Sequence, residues 1–208
     1  PTLTATFNDA LAAQMGSCIA DEATELGVTS WYAPAMDTHR SSYSGRNFEY
    51  YSEDATLSAG IASHEVAGAR EKGLIVVIKH FALNDQESMR DSIHTYSNEQ
   101  AIREIYLVPF EACVKDGGAT AVMTSMNYVG DVYAGGHAGL ITEVLRNEWG
   151  FQGFVLTDMD QAGEARSARA CMRAGADKWL SVTITTDDVP VTCDADIYYM
   201  QRAAHNIL

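Results

Sequence analysis

Two sets of polar residues stand where apolar runs end, and a third lies in a polar loop. Asp158 follows Gly153-Phe154-Val155-Leu156-Thr157, so it sits where a buried strand meets an open rim. A carboxylate there can act as a nucleophile or cap the helix that follows, and position alone leaves both readings open. Lys79-His80 closes the run Leu74–Phe81. Adjacent cationic side chains at a strand end make either a salt-bridged core feature or a clamp for an anion or sugar hydroxyls. Lys beside His is unusual in a buried strand, which favours the clamp. Arg46, in the polar loop Ser44–Asp54, is a third arm, or one charge of a solvated loop.

The elements that must hold these residues alternate. Asn8 is placed to cap a helix with Leu11, Met15, Cys18, Ile19 and Leu26 on one face, ended by Gly27. Val28–Pro34 reads as a short strand, Leu57–Lys72 as a helix closed by Gly73, and Leu74–Phe81 as a strand buried on both faces. Ser97 and Gln100 form a capping box. The helix they open turns Ile102, Ile105, Tyr106 and Cys113 inward and bends at Pro109. Ala119–Asn127 is the next strand. Leu140, Ile141, Val144 and Leu145 make a helix face stopped by Gly150. Phe154–Thr157, Ala162–Ala174 and Lys178–Ser181 then read as strand, helix and strand. Repeated β-α units imply parallel strands with right-handed crossovers. The Asp37–Asp54 stretch is a long polar loop with few apolar anchors.

A (β/α)8 barrel and a doubly wound sheet both fit this alternation. Neither a G-x-G-x-x-G nor a G-x-x-x-x-G-K-[ST] motif is present, which weakens a nucleotide-binding sheet. Lys79, His80, Ser125, Asn127 and Asp158 all lie at C-terminal strand ends, the edge that builds a barrel's active site. The 208 residues carry 28 Asp and Glu against 14 Lys and Arg, a net charge of −14. That balance disfavours nucleic acid and anionic membrane surfaces as partners. The four cysteines, Cys18, Cys113, Cys171 and Cys193, are widely spaced and read as thiols rather than bridges or a zinc site.

At these residues the chain resembles the barrel domain of family 3 glycoside hydrolases, the β-glucosidases and β-xylosidases. The resemblance rests on Phe7–Gly27, Ser44-GRNFEYYSED-Ala55, Ile78-KHFALNDQE-Ser88 with Arg90, and Asn98-EQAIREIYLVPFE-Ala112. It continues through Ala121-VMTSMN-Tyr128, Leu145-RNEWGFQGFVLTDMD-Gln161 and Ala174-GAD-Lys178. Trp31–Pro34 and Ala203–Leu208 are most similar to the bacterial branch whose two main domains are swapped along the chain. The resemblance implies an α/β chain forming a TIM-barrel-like catalytic domain over 1–208, incomplete because the first strand and a second α/β domain lie elsewhere. It further implies a retaining, exo-acting β-glycosidase that releases a non-reducing-end sugar, glucose first. By resemblance Asp158 is the nucleophile, Arg46, Lys79 and His80 bind the sugar, and Met123 lines the same pocket.

Some positions depart from the family pattern. Met159 stands where an aromatic usually follows the nucleophile, Met126 where one stands in the M-x-S-x-N strand, and Ala55 where Pro follows Glu-Asp. The Asp-x-x-His-Gly stretch is absent. The loop after Lys79-His80-Phe81 reads Ala82-Leu83-Asn84-Asp85, which disfavours the N-acetylglucosamine subset with its His-Asp pair. The acid/base is expected outside this chain, with Glu87 and Arg90 as a buried ion pair holding the loop. The expected partners are a β-linked oligosaccharide or glucoside and the remaining segments of the same enzyme, with a homo-oligomer compatible. No cofactor or metal is expected, and the compartment is left open. The chain alone is expected to fold and turn over poorly. A β-xylosidase, a non-catalytic carbohydrate-binding barrel and a Schiff-base lyase using Lys79 are the competing readings.

Overall fold

The computed structural model of the protein describes residues 1–159, 167–180 and 191–208. Five parallel strands form one curled sheet in the order of the sequence: β1 (Ser30–Trp31), β2 (Ile75–Phe81), β4 (Ala121–Thr124), β7 (Phe154–Met159) and β8 (Lys178–Leu180). Helices α1 (Asp9–Glu25) and α2 (Ala55–Glu71) precede β1 and β2 respectively. Between β2 and β4 run α3 (Glu99–Ala101), a π-helix over Ile102–Tyr106, and α4 (Val108–Lys115). A second π-helix, Gly139–Glu148, leads to β7, α5 (Ala168–Ala174) leads to β8, and α6 (Asp194–Ile207) ends the chain. Each strand is added at the same edge after a helical crossover, which curls the sheet into a half-barrel.

The sheet has two buried faces because its side chains alternate. Val76, Ile78, Val122 and Val155 pack outward with residues of the helices in the main core. Val77, Ala121, Met123 and Leu156 form a smaller cluster on the inside of the curl. The C-terminal ends of the strands therefore carry their inward-facing residues to one rim.

A second, smaller sheet lies after β2. It comprises β3 (His94–Thr95), β5 (Tyr128–Val129) and β6 (Val132–Tyr133), with β3 parallel and β6 antiparallel to β5.

Several expectations change on contact with the fold. In α1, Asn8 accepts the Leu11 N–H at 3.0 Å as expected. The buried face, however, is Ala12, Gly16, Ala20 and Ala23, while Leu11, Met15, Cys18 and Leu26 are exposed. Small residues win because α1 and α2 cross almost in contact. A Cβ on Gly16 would lie 2.0 Å from the Glu65 carbonyl oxygen, and one on Gly68 would lie 2.0 Å from that of Ala13. The strand read over Val28–Pro34 is only Ser30–Trp31, resumed by a bridge between Ala35 and Lys79. Pro34, which has no N–H, interrupts the ladder. Asn98, not Ser97, caps α3, accepting the Ala101 N–H at 2.8 Å. Pro109 starts α4 rather than bending one continuous helix, because a first-turn position needs no N–H donor. The start of the helix read over Ala162–Ala174, and Ser181, lie outside the described residues.

The polar loop after β1 is also better anchored than expected. Asp37, Thr38, Ser44, Tyr50 and Tyr51 are all buried. The Glu87–Arg90 pair, at 2.9 Å, is half-buried rather than buried, with side chains 25% and 33% exposed. On the far side of the sheet, Arg146 meets the fully buried Asp177 at 2.6 Å. Asp177 also accepts the Val155 N–H at 2.8 Å and the Asn206 amide at 2.9 Å. One carboxylate thus ties the second π-helix, β7 and α6 together. None of the four cysteines forms a disulfide, and Cys113 and Cys171 are buried.

The loops after β1 and β2 are clamped reciprocally. Asp37 Oδ1 accepts the Asn84 N–H at 2.9 Å, and Asp85 Oδ1 accepts the Thr38 N–H at 2.9 Å. Burial, reinforced by the neighbouring Asp37 charge, pushes the Asp85 carboxyl up to about 7, against the Thr38 N–H and the Arg40 charge. Such a group binds its proton more tightly in the folded than in the unfolded chain. Its stabilising contribution is present at about pH 4 and below and is lost as pH rises towards about 7.

Two outcomes are expected for the polypeptide that carries this chain. Gly68→Val must push α1 off α2 and should cost about 1 to 3 kcal/mol in urea unfolding, whereas substitution at exposed Leu26 should cost far less. Asp85→Asn should flatten the part of the fall in thermal midpoint that occurs between about pH 4 and pH 7. Equal slopes in parent and variant would remove Asp85 as a contributor.

Candidate active site

Asp158 lies on β7 two residues after Leu156, so it continues the inward face of the sheet one pleat above Leu156. Its side chain is 13% exposed. Oδ1 accepts the Met159 N–H at 2.7 Å, which fixes the carboxylate plane. Oδ2 is buried without a hydrogen-bond partner and lies 3.9 Å from His80 Nε2. A buried carboxylate oxygen left open is costly to leave unpaired and stands ready for an incoming group.

His80 is fixed from behind. Its backbone N–H and its Nδ1 both meet Asp37 Oδ2, at 3.0 and 3.1 Å. Asp37 is a carboxylate that can only accept, so this geometry assigns the proton to Nδ1. Nε2 then presents its lone pair, which meets Arg46 Nη2 at 3.0 Å. Both His80 and Asp37 are buried, the Asp37 side chain completely.

Arg46 is placed by its own loop. It pairs with Glu49 through Nε and lies 3.6 Å from Glu87 Oε1. Its guanidinium carbon sits 5.9 Å from the centre of the Tyr50 ring, which stands edge-on to His80. Burial opposes the Arg46 charge, but the Glu49 hydrogen bond and the charges of Glu49 and Glu87 outweigh it and hold its pKa raised. Lys79 Nζ lies 3.5 Å from Glu49 Oε2. Burial pushes Glu49 up, yet Arg46 and Lys79 hold it below the ordinary carboxylate range. Glu49 therefore spaces the two cationic side chains.

The structure thus brings Arg46, His80 and Asp158 into one cluster, with Lys79 joined to it through Glu49. Met123 is buried in the inner cluster and is paired in register with Leu156, one layer beneath Asp158. Sequence reasoning missed Asp37 and the bridging part of Glu49. For Asp37 a signal existed: like Asp158, it directly follows a short apolar run, Ala33-Pro34-Ala35-Met36. Glu49 lies three residues from Arg46 in a loop, and that spacing says nothing about Lys79.

This arrangement puts one unsatisfied carboxylate oxygen beside a charged fork, an ammonium and an oriented imidazole. The fork and the ammonium can donate hydrogen bonds to a polyol while the carboxylate attacks one of its carbons. Among the described residues, no group of three His, Cys, Asp or Glu side chains could hold a metal ion. No described helix is long and apolar enough to cross a membrane.

Comparison with known proteins follows the same line. The sequence model described as the Glycosyl hydrolase family 3 N terminal domain matches residues 1–202. Beta-glucosidase B of Emericella nidulans is 38% identical over 175 residues, covering 84% of this chain and 20% of that protein. A beta-glucosidase of Rhizobium radiobacter is 40% identical over 156 residues, covering 75% of this chain and 19% of that protein. The chain thus spans about a fifth of the length of these curated relatives. Among solved structures, beta-glucosidase 3B of Thermotoga neapolitana in complex with glucose superposes with a TM-score of 0.87. It is 36% identical over 99% of this chain and 30% of that one. A beta-glucosidase from Paenibacillus barengoltzii gives a TM-score of 0.90 at 31% identity, over 98% of this chain and 24% of that one. Motifs, half-barrel and relatives agree, and the chain belongs to glycosyl hydrolase family 3, in the region of its N-terminal domain.

Proposed function

We propose that the polypeptide carrying this chain is a retaining, exo-acting β-glucosidase. In this reading Arg46, Lys79 and His80 hold the non-reducing-end glucose and Asp158 lies beneath its anomeric carbon. Asp158 attacks that carbon. A carbon–oxygen ester bond forms, the glycosidic bond breaks, and the leaving oxygen takes a proton from a second carboxylic acid. Water then attacks the same carbon, the ester bond breaks, and the proton of the water passes to the conjugate base. The observation that carries this reading is the open, buried Oδ2 of Asp158 facing His80 and its Arg46 partner.

In this reading the second acid lies outside this chain. Among the described residues, the carboxylates bonded into the cluster already have partners: Asp37 binds His80 and Asn84, Glu49 binds Arg46 and Lys79, and Glu87 binds Asn84 and Arg90. A donor already held in an ion pair is a poor proton source. Glucose as the sugar is supported by the relatives, which are named beta-glucosidases.

Two measurements test this. A 2-deoxy-2-fluoro-glucoside should trap the ester on Asp158, and Asp158→Asn should lower kcat by several orders of magnitude with the thermal midpoint kept. Peptide mapping that puts the label on Glu49 or Asp85 would refute the assignment. Lys79→Ala should lower kcat/KM for an aryl β-glucoside by about tenfold to a hundredfold, the loss of one charged hydrogen bond. Unchanged kinetics would remove Lys79 from the sugar site.

A further inference from the structure

The small sheet of β3, β5 and β6 has no part in the site around Asp158, yet its side chains are tied by several contacts. It forms one wall of a cleft of about 570 Å³ at the rim of the half-barrel. On that wall, Tyr96 is 70% exposed, and its hydroxyl donates to Asp131 at 2.5 Å. His94 stacks on Tyr128 with ring centres 4.6 Å apart, and its Nδ1 meets the Gly130 carbonyl at 3.0 Å, so Nε2 is left open. These bonds hold two exposed ring systems in place before anything binds.

The loop that carries Arg46 also lines the cleft, through Arg40, Ser41, Tyr43 and Ser44. Tyr43 is 93% exposed, and Arg40 lies 5.5 Å from the centre of the Tyr106 ring. Among the described residues the Arg40 guanidinium makes no hydrogen bond and no ion pair within 4 Å. Asp85, which accepts the Thr38 N–H in the clamp between the two loops, also lines the cleft. Fixed aromatic faces beside a stacked arginine and a half-buried carboxyl suit a polyol with apolar ring faces and hydroxyl edges. Arg40 and the Asp85 carboxyl line the cleft together, and Asp131 stands behind His94 at 3.4 Å, so once Asp85 ionises at about pH 7 the lining carries charge of both signs. A neutral sugar matches both features.

We propose that this cleft is an accessory carbohydrate subsite that holds a glucose unit of a β-linked gluco-oligosaccharide away from the bond being cleaved. The inference rests on the β-glucosidase reading for its choice of sugar. The cleft shares its loops with the catalytic cluster: Ser44 lies two residues before Arg46, and Leu83 and Asp85 follow directly from His80-Phe81-Ala82. A chain reaching both sites would gain affinity without altering the chemistry at Asp158.

The test compares Tyr96→Ala, Tyr96→Phe and Arg40→Ala in the whole polypeptide. KM is read for an aryl β-glucoside and for β-1,3- and β-1,4-linked glucose pentasaccharides. Binding of the same pentasaccharides is read by calorimetry in the Asp158→Asn background. Tyr96→Ala and Arg40→Ala should raise KM for at least one pentasaccharide about fivefold, weaken its binding equally, and leave the aryl glucoside unchanged. Tyr96→Phe, which keeps the ring, should restore most of the loss. Unchanged pentasaccharide KM and binding in both alanine variants would overturn the proposal, as would an equal loss on the aryl glucoside. If the polypeptide hydrolyses none of these substrates, the β-glucosidase reading fails, while pentasaccharide binding that Tyr96→Ala abolishes still supports the cleft.

Discussion

The site depends on one buried carboxylate, Asp37. It takes up the backbone N–H and Nδ1 of His80 and the backbone N–H of Asn84, and its side chain is wholly buried. Removing a carboxylate from water costs several kcal/mol; charge-assisted bonds from three donors offset that cost. The same bonds set the distance between the chain leaving β1 and the loop leaving β2. They also set the imidazole tautomer that lets Arg46 approach Nε2. Without this anchor, neither the loop geometry nor the orientation of His80 towards Asp158 is defined.

Around that anchor the fold separates its tasks by face. The outward face of the sheet packs apolar side chains against helices. The inward face holds a small plug, Val77, Ala121, Met123 and Leu156, on which the polar rim rests. Lys79 and Asp158 continue the inward rows of Val77 and Leu156. Strand alternation, together with the ladder irregularities between Ile78 and Phe81 and between Leu156 and Met159, brings distant residues to one surface. The close crossing of α1 and α2, permitted by Gly16 and Gly68, keeps the outer layer tight behind β1 and β2.

Charge is balanced locally although the chain as a whole is strongly acidic. Glu49 holds Arg46 and Lys79 apart and keeps both in place, and Glu87 supports Arg46 from the other side at 3.6 Å. Asp158 keeps one oxygen free of such partners. In the proposed reading that asymmetry separates a reactive carboxylate from structural ones: Asp37, Glu49 and Asp177 use their oxygens to hold the fold, and Asp158 leaves Oδ2 unpaired. The second sheet applies the same economy to the neighbouring cleft, where backbone and side-chain bonds fix His94 and Tyr96 while leaving their rings exposed.

The amino-acid sequence by itself determined the alternation of strands and helices, the caps at Asn8 and the stops at glycines, and the family motifs. It also determined the rim positions of Lys79, His80 and Asp158. Each of these is a local property: period, cap chemistry, or a polar residue at the end of an apolar run. What it could not determine was set by contacts between distant segments. The buried face of α1 follows from how closely α2 approaches, which no helical periodicity encodes. The shortness of β1 depends on where Pro34 falls against Lys79. Asp37 matters because residues more than forty positions away meet its oxygens, and the cleft exists because β3 and β5 pair across thirty-odd residues. Only the tertiary structure decides such pairings, since hydrogen bonds and packing act through space and not along the chain.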